Sequence, residues 1–327
     1  MKTYSFIGSD KNAGKTTAFN YVYRDLCKKG GSSICLSSIG INGEEVDNFE
    51  GVKKPQIEIL PGLFFITKAS RLTGHTGKYR TLQTFTSPLF NEDYILGKAQ
   101  LKMDLILEGP NSGDEIRIVK RSISPLLGND GLLLIDGSID RQFLAKPEIS
   151  DGFYFSLLFT KRVEQRQKTL DFLEMLALVP CTKEIRTKIT GNLNERTKSL
   201  LIADSGKIIH QGQSIVSRDK ELRSKCATMK QCDEIVFFLY LKGALTNSLY
   251  NFLAPFRGLQ VILDNFSLFQ NISTSEKKKI NFLPKISLYN PREIKTIFIS
   301  QETDFDHSLL PKGIAVKNLF RETHYES

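Results

Sequence analysis

The stretch FIGSDKNAGKTTAFN, Phe6 to Asn20, decides how the chain is read. Its beginning belongs to TYSFIG (3–8), a short apolar run that closes on a glycine. Its end opens KTTAFNYVYRDLCKKG, which places Ala18, Val22 and Leu26 at helical spacing until Gly30 and Gly31 stop the helix. Strand, glycine-bearing loop and helix form the setting in which backbone N–H groups and the positive end of a helix converge on a phosphate. The usual spacing is Gly-x-x-x-x-Gly-Lys-Ser/Thr. Counting back from Gly14-Lys15-Thr16, the first glycine position holds Ser9, with Gly8 one residue early, so this loop is a deviant of the pattern. Lys15 is expected to reach the β- and γ-phosphates, Thr16 to ligate Mg2+ and Thr17 to touch the α-phosphate. Gly8, Ser9, Asp10, Lys11, Asn12, Ala13 and Gly14 are expected to line the cradle. The plainer alternative is a tight turn with an exposed lysine.

SSICLSSIG (32–40) reads as a second strand, giving a βαβ unit with a parallel sheet. KPQIEILPGLFFITKA alternates and breaks at Pro61-Gly62, which predicts a hairpin extending the sheet edge. MDLILEGPNSG (103–113) and GLLLIDGSIDR (131–141) are apolar runs ending in acid and glycine, and both are expected to be central strands. GFYFSLLFT (152–160) is a third, followed by a helix with Val163, Leu170, Leu173 and Leu176 on one face. SGKIIHQGQSIV predicts a small hairpin, and the later runs EIVFFLYL, LQVILDN and IKTIFIS predict a second lobe. The expected division is a nucleotide-binding domain over 1–204 and a smaller α/β lobe, open to a partner, over 205–327.

A phosphate loop of this kind needs a carboxylate on a neighbouring strand to hold Mg2+ or its water. Glu108, closing DLILEG, and Asp136, closing LLLIDG, are the two candidates for this catalytic role beside Lys15. Either alone can be a polar residue at an exposed strand end. Glu44, Glu45 and Asp47, in the polar loop after the second strand, stand where a metal-reading switch is expected, with Glu44 and Asp47 as metal ligands. A solvated acidic turn is the plainer reading. Asp140 and Arg141 offer a further acid and base pair after Asp136. Guanine recognition favours Asn/Thr-Lys-x-Asp, and Thr160-Lys161-Arg162-Val163 lacks the aspartate, so ATP is preferred over GTP.

Composition narrows the classes. Hydrophobic residues at 40% and charged residues at 25% are globular values, which excludes an intrinsically disordered chain. Forty-five basic against 36 acidic residues leave +9, but the signs interleave, as in KRVEQRQKTLDFLE; solvated helix faces look so, which argues against nucleic acid. No apolar run is long enough for a membrane span, and Cys27, Cys35, Cys181, Cys226 and Cys232 form no ligand spacing. A cytoplasmic protein with reduced thiols and no membrane partner is expected.

GSDKNAGKTT and LEGPNSG resemble dethiobiotin synthetase, through Gly8, Asp10, Gly14, Lys15, Thr16, Glu108 and Gly109. Lys11 to Thr17 is similar, except at Ala13, to the Lys-Asn-Ser-Gly-Lys-Thr-Thr of molybdopterin-guanine dinucleotide accessory GTPases. KNAGKTTAFN, SSIGINGEEVD, KPQIEILPG, EGPNSGDEI and LLLIDGSIDR together resemble the smaller, nucleotide-binding subunit of the lysine 5,6-aminomutase reactivase. That likeness covers the first 145 residues well and the rest in outline. It implies a P-loop NTPase fold, α/β with a mostly parallel sheet and helices on both faces. It also implies ATP or GTP with Mg2+, a MutS-like ATPase subunit as partner, and help in reactivating an adenosylcobalamin-dependent aminomutase. A small-molecule ligase or kinase of the synthetase type is the alternative. Against it, Ser37, Ser38 and Gly40 stand where the synthetase keeps a substrate lysine.

Overall fold

A computed structural model describes residues 1–30, 33–42, 57–87, 92–110, 112–137, 149–213, 220–229, 236–243, 245–256, 258–269, 285–301 and 306–318. The chain divides into two compact units. One comprises Met1–Thr169 with Glu293–Phe305 and Gly313–Ser327, the other Leu170–Arg292 with Asp306–Lys312.

The first unit opens with β1 (Lys2–Gly8), α1 (Lys15–Lys29) and β2 (Ile34–Ser38), followed by β3 (Gly40–Asn42), β4 (Ile57–Ile59) and β5 (Phe64–Lys68). β6 (Tyr79–Ser87), β7 (Glu92–Ala99), β8 (Met103–Leu105) and β9 (Leu107–Gly109) precede α2 (Gly113–Leu127), β10 (Leu132–Asp136) and β11 (Gly152–Phe159). α3 (Val163–Leu176) then crosses the unit boundary, which falls between Thr169 and Leu170.

The second unit continues with β12 (Val179–Pro180), α4 (Lys183–Thr190), β13 (Ser199–Ala203), β14 (Ile208–Gly212) and α5 (Lys220–Met229). It is completed by β15 (Phe237–Leu241), α6 (Asn247–Leu253), β16 (Leu259–Leu263) and β17 (Lys285–Leu288). The chain then returns to the first unit as β18 (Glu293–Gln301) and β19 (Ala315–Asn318).

The first unit carries a nine-stranded sheet in the order β19-β18-β11-β1-β10-β2-β5-β7-β6. Every neighbouring pair from β19 to β5 is parallel, and β7 and β6 add an antiparallel edge. β1, β10 and β11 are buried along nearly their whole length, as strands covered on both faces must be. Phe6 of β1 meets Phe19 of α1 edge to face at 5.2 Å and stacks on Tyr154 of β11 at 4.7 Å, so α1 is fixed over the strand that feeds it. The second unit holds a six-stranded sheet, β12-β17-β16-β15-β13-β14, with Leu200, Ile202, Phe238, Tyr240 and Ile262 in its core.

Five expectations are corrected. The strands around Pro61-Gly62 do not pair with each other: β4 joins β8, and β5 joins β2 and β7 in the main sheet. MDLILEG is not a central strand, because it divides at Ile106 into β8 and β9, each in its own antiparallel pair. IKTIFIS belongs to the first unit, where β18 pairs with β11. The boundary expected at 204/205 falls within the second unit, in the turn of the antiparallel pair β13–β14. Val163, expected on the apolar face of α3, is 80% exposed at its first turn, whereas Leu173 and Leu176 are buried. No helix among the described residues is long and apolar enough to cross a membrane.

Candidate functional site

The turn from β1 into α1 is built on two left-handed residues, Asn12 at φ 59° and Gly14 at φ 82°. Asparagine and glycine are the residues that adopt this conformation at least cost. Ala13 between them is wholly buried, while Lys11 and Asn12 are exposed. Gly8 has a steric reason to be glycine. A Cβ there would lie 2.8 Å from Lys15 Cγ and 3.2 Å from Ala13 Cβ, because the lysine stem folds back over the strand end. Lys15 Nζ donates to the Asp10 carbonyl at 3.1 Å, holding the ammonium along the loop.

β10 lies directly beside β1, with Phe6 opposite Asp136. This register brings the Asp136 carboxylate to the first turn of α1, where Thr16 Oγ1 donates to Asp136 Oδ2 at 2.8 Å. Asp136 is almost fully buried, and burial pushes its carboxyl up to about 6 from an ordinary 3.8, against the pull of the Thr16 hydrogen bond and the Lys15 charge. Thr17, on the same turn, is half-buried.

Glu108 goes elsewhere. β9 packs on β5 and β2, and Glu108 forms ion pairs with Lys68 Nζ at 2.5 Å and Arg71 Nε at 2.7 Å. Burial alone would raise its carboxyl, but the hydrogen bonds and charges of Lys68 and Arg71 outweigh burial and hold it below its ordinary value. Its backbone N–H donates to Thr67 Oγ1 at 2.9 Å. Both carboxylate oxygens are thus committed to cations, and Lys68 bridges on to Glu92 at 2.6 Å. Gly109 follows where a Cβ would lie 2.1 Å from the Ser38 carbonyl, so β9 is pressed onto the end of β2. Lys68 and Arg71 escaped the sequence reading, since the pairing joins segments far apart in the chain. The one signal was opposite charge at two strand ends.

Of the expected site residues, the structure brings Gly8 to Thr17 and Asp136 together and places Glu108 in a separate ionic cluster. Glu44, Glu45, Asp47, Asp140 and Arg141 lie outside the described residues. No group of three or more His, Cys, Asp or Glu side chains suited to a metal gathers among the described residues. The remaining pair, a threonine hydroxyl and one carboxylate, fits Mg2+, which keeps several waters and takes few protein ligands. The loop fits phosphate as well: α1 starts from a left-handed glycine with no side-chain cap and no acid in its first turn.

Fold and site together define an α/β protein with a mostly parallel sheet and a basic loop at the carboxyl end of its central strand. Compared with family models, curated proteins and solved structures, the chain matches no family, no protein and no structure.

Proposed function

We propose that the first unit is a P-loop domain that binds a nucleoside triphosphate with Mg2+ on Gly8–Thr17 and hydrolyses it, with ATP preferred. The observation that carries this reading is the hydrogen bond from Thr16 to the buried Asp136 at the end of the adjacent strand, under a lysine arched over Gly8. Lys15 supplies mobile positive charge to the phosphates, and the first N–H groups of α1 supply fixed donors. Thr16 and Asp136 would hold the metal. The bound metal supplies charge neutralisation at the phosphates. Glu108 takes a structural role, tying β9 to β5 through Lys68 and Thr67.

The resemblance to the reactivase subunit makes the proposed role that of an accessory protein. Slow turnover alone, accelerated by a MutS-like subunit or a cobalamin-dependent aminomutase, is what such a role entails. The test is titration of the purified protein with fluorescent ATP and GTP analogues in Mg2+ and in EDTA, followed by phosphate-release assays with and without the two proteins. Magnesium-dependent binding and partner-stimulated release are expected. Absence of binding in Mg2+ overturns the nucleotide reading. Stimulation by a small metabolite, with a stoichiometric phosphorylated product, overturns the accessory role in favour of a ligase or kinase.

A further inference from the structure

Ser9 occupies the position where the usual loop has its first glycine, and the structure shows what the hydroxyl does there. The parallel ladder of β1 on β11 ends with Gly8 opposite Ser156, and Ser9 N donates to the Ser156 carbonyl at 2.9 Å. The next rung is made by the side chain, since Leu158 N donates to Ser9 Oγ at 3.0 Å. Thr169 of α3, fully buried, brings its hydroxyl to 3.0 Å from Ser9 Oγ and donates to the Leu158 carbonyl at 2.7 Å. Strand end, loop entrance and α3 are closed into one ring of hydrogen bonds. Its neighbour Lys168 stands 3.4 Å from both carboxylate oxygens of Asp10, whose Oδ1 also accepts from Lys11 N at 2.8 Å.

We infer that Ser9, Thr169 and Lys168 are positioning residues for the phosphate loop: Ser9 and Thr169 set where it leaves the sheet, and Lys168 neutralises Asp10 at its mouth. This rests on the nucleotide reading above. A loop that must present its N–H groups with two left-handed residues in four has a narrow geometry, and a buried hydroxyl pair that ties the loop entrance to β11 and α3 helps to select it. A carboxylate at the mouth of an anion site repels phosphate unless a cation faces it, and Lys168 is the residue placed to do so. The pin comes from a helix about 160 residues away in sequence, beyond the span of the motif itself.

The experiment is a double-mutant cycle on S9A and T169A, with T169S as the conservative variant and K168A alongside, read by MgATP-analogue affinity and by amide hydrogen exchange without nucleotide. Each single alanine is expected to weaken affinity about tenfold, and the double variant also about tenfold, because one ring is broken once. T169S restores binding, and K168A weakens it about threefold with a shallower salt dependence. Without nucleotide, S9A and T169A accelerate exchange at Leu158 and over 11–16, while T169S does not. A hundredfold loss in the double variant, or unchanged exchange at Leu158 in either alanine variant, overturns the inference. Wild-type protein that binds no nucleotide while S9A still accelerates exchange removes the nucleotide reading and keeps the pin.

Discussion

Two helices of the first unit begin in opposite ways. α2 starts from Ser112, whose hydroxyl accepts from Glu115 N while Glu115 reaches back to the Ser112 N–H, and its first turn carries Asp114 and Glu115. Its free N–H groups and its dipole are answered within six residues of chain. α1 starts from Gly14 with no side-chain cap and no acid in the first turn, and its first residue is Lys15. It forgoes about 1–2 kcal/mol of local stabilisation that α2 has. In the proposed reading that deficit is made good by a ligand. In that reading α2 is finished by its own sequence and α1 by what binds.

Lys15→Ala is expected to weaken nucleotide binding by about 100-fold or more, roughly 2.7 kcal/mol, with only a small fall in the urea midpoint, because the half-exposed ammonium lies along the loop and not in the core, and its charge bears on the fold through Asp136 alone. Unchanged affinity in calorimetric titration would make α1 a merely poor helix start.

Asp136→Asn acts through pH. The folded carboxyl titrates near 6 and the unfolded one near 3.8, so the folded state binds its proton more tightly between these values. Asp136 therefore lowers stability as pH rises through that window, and the cost is full above it. An asparagine in its place has no proton to lose. The variant is expected to gain about 1–3 kcal/mol over the wild type at pH 7.5, to gain nothing at pH 3.5, and to lose hydrolysis. Thermal melts at the two pH values check the first two, and a variant less stable than the wild type at pH 7.5 refutes the linkage.

Glu108→Gln tests the other acid. Removing one partner of a buried ion pair leaves Lys68 and Arg71 facing an amide, although Lys68 keeps Glu92, so a loss of about 2 kcal/mol is expected. The Glu108 carboxyl lies below its ordinary value, so its contribution is present above that value and lost as pH falls through the lowered one. The difference between variant and wild type should shrink in acid. Nucleotide affinity should stay within about twofold; a hundredfold loss in Mg2+ but not in EDTA would return Glu108 to the metal.

The sequence shows the first half of this comparison better than the second. The turn at Gly14, the apolar runs of β1, β10 and β11 and the carboxylate at Asp136 are local patterns, each contained in about ten residues, and local patterns survive without tertiary knowledge. What was hidden is long-range. Ser9 is a pin because Leu158 and Thr169 are there to be pinned, and neither spacing nor composition carries that. LILEG reads as a central strand because it is an apolar run that ends in acid and glycine, yet β8 and β9 bury Leu105, Leu107 and Glu108 as short antiparallel pairs and not as a rung of the main sheet. IKTIFIS has the periodicity of any core strand, and nothing local says that it crosses back to β11.

The smallest effect is expected where the helix is complete. Ser112→Ala removes the acceptor for Glu115 N and unties the reciprocal bond from Glu115 to the Ser112 N–H, so α2 loses its cap but keeps the two first-turn carboxylates. The expected cost is about 1 kcal/mol, seen as a lower urea midpoint at unchanged slope. Nucleotide affinity should not move, because the bonds of this cap run between Ser112 and Glu115, within the first turn of α2. The substitution is therefore the control for Lys15→Ala, with stability lost and binding kept at α2, and binding lost and stability largely kept at α1. If Ser112→Ala weakened binding as much as Lys15→Ala does, the two helix starts would belong to one cooperative element, and the division between a self-completed and a ligand-completed helix would fail.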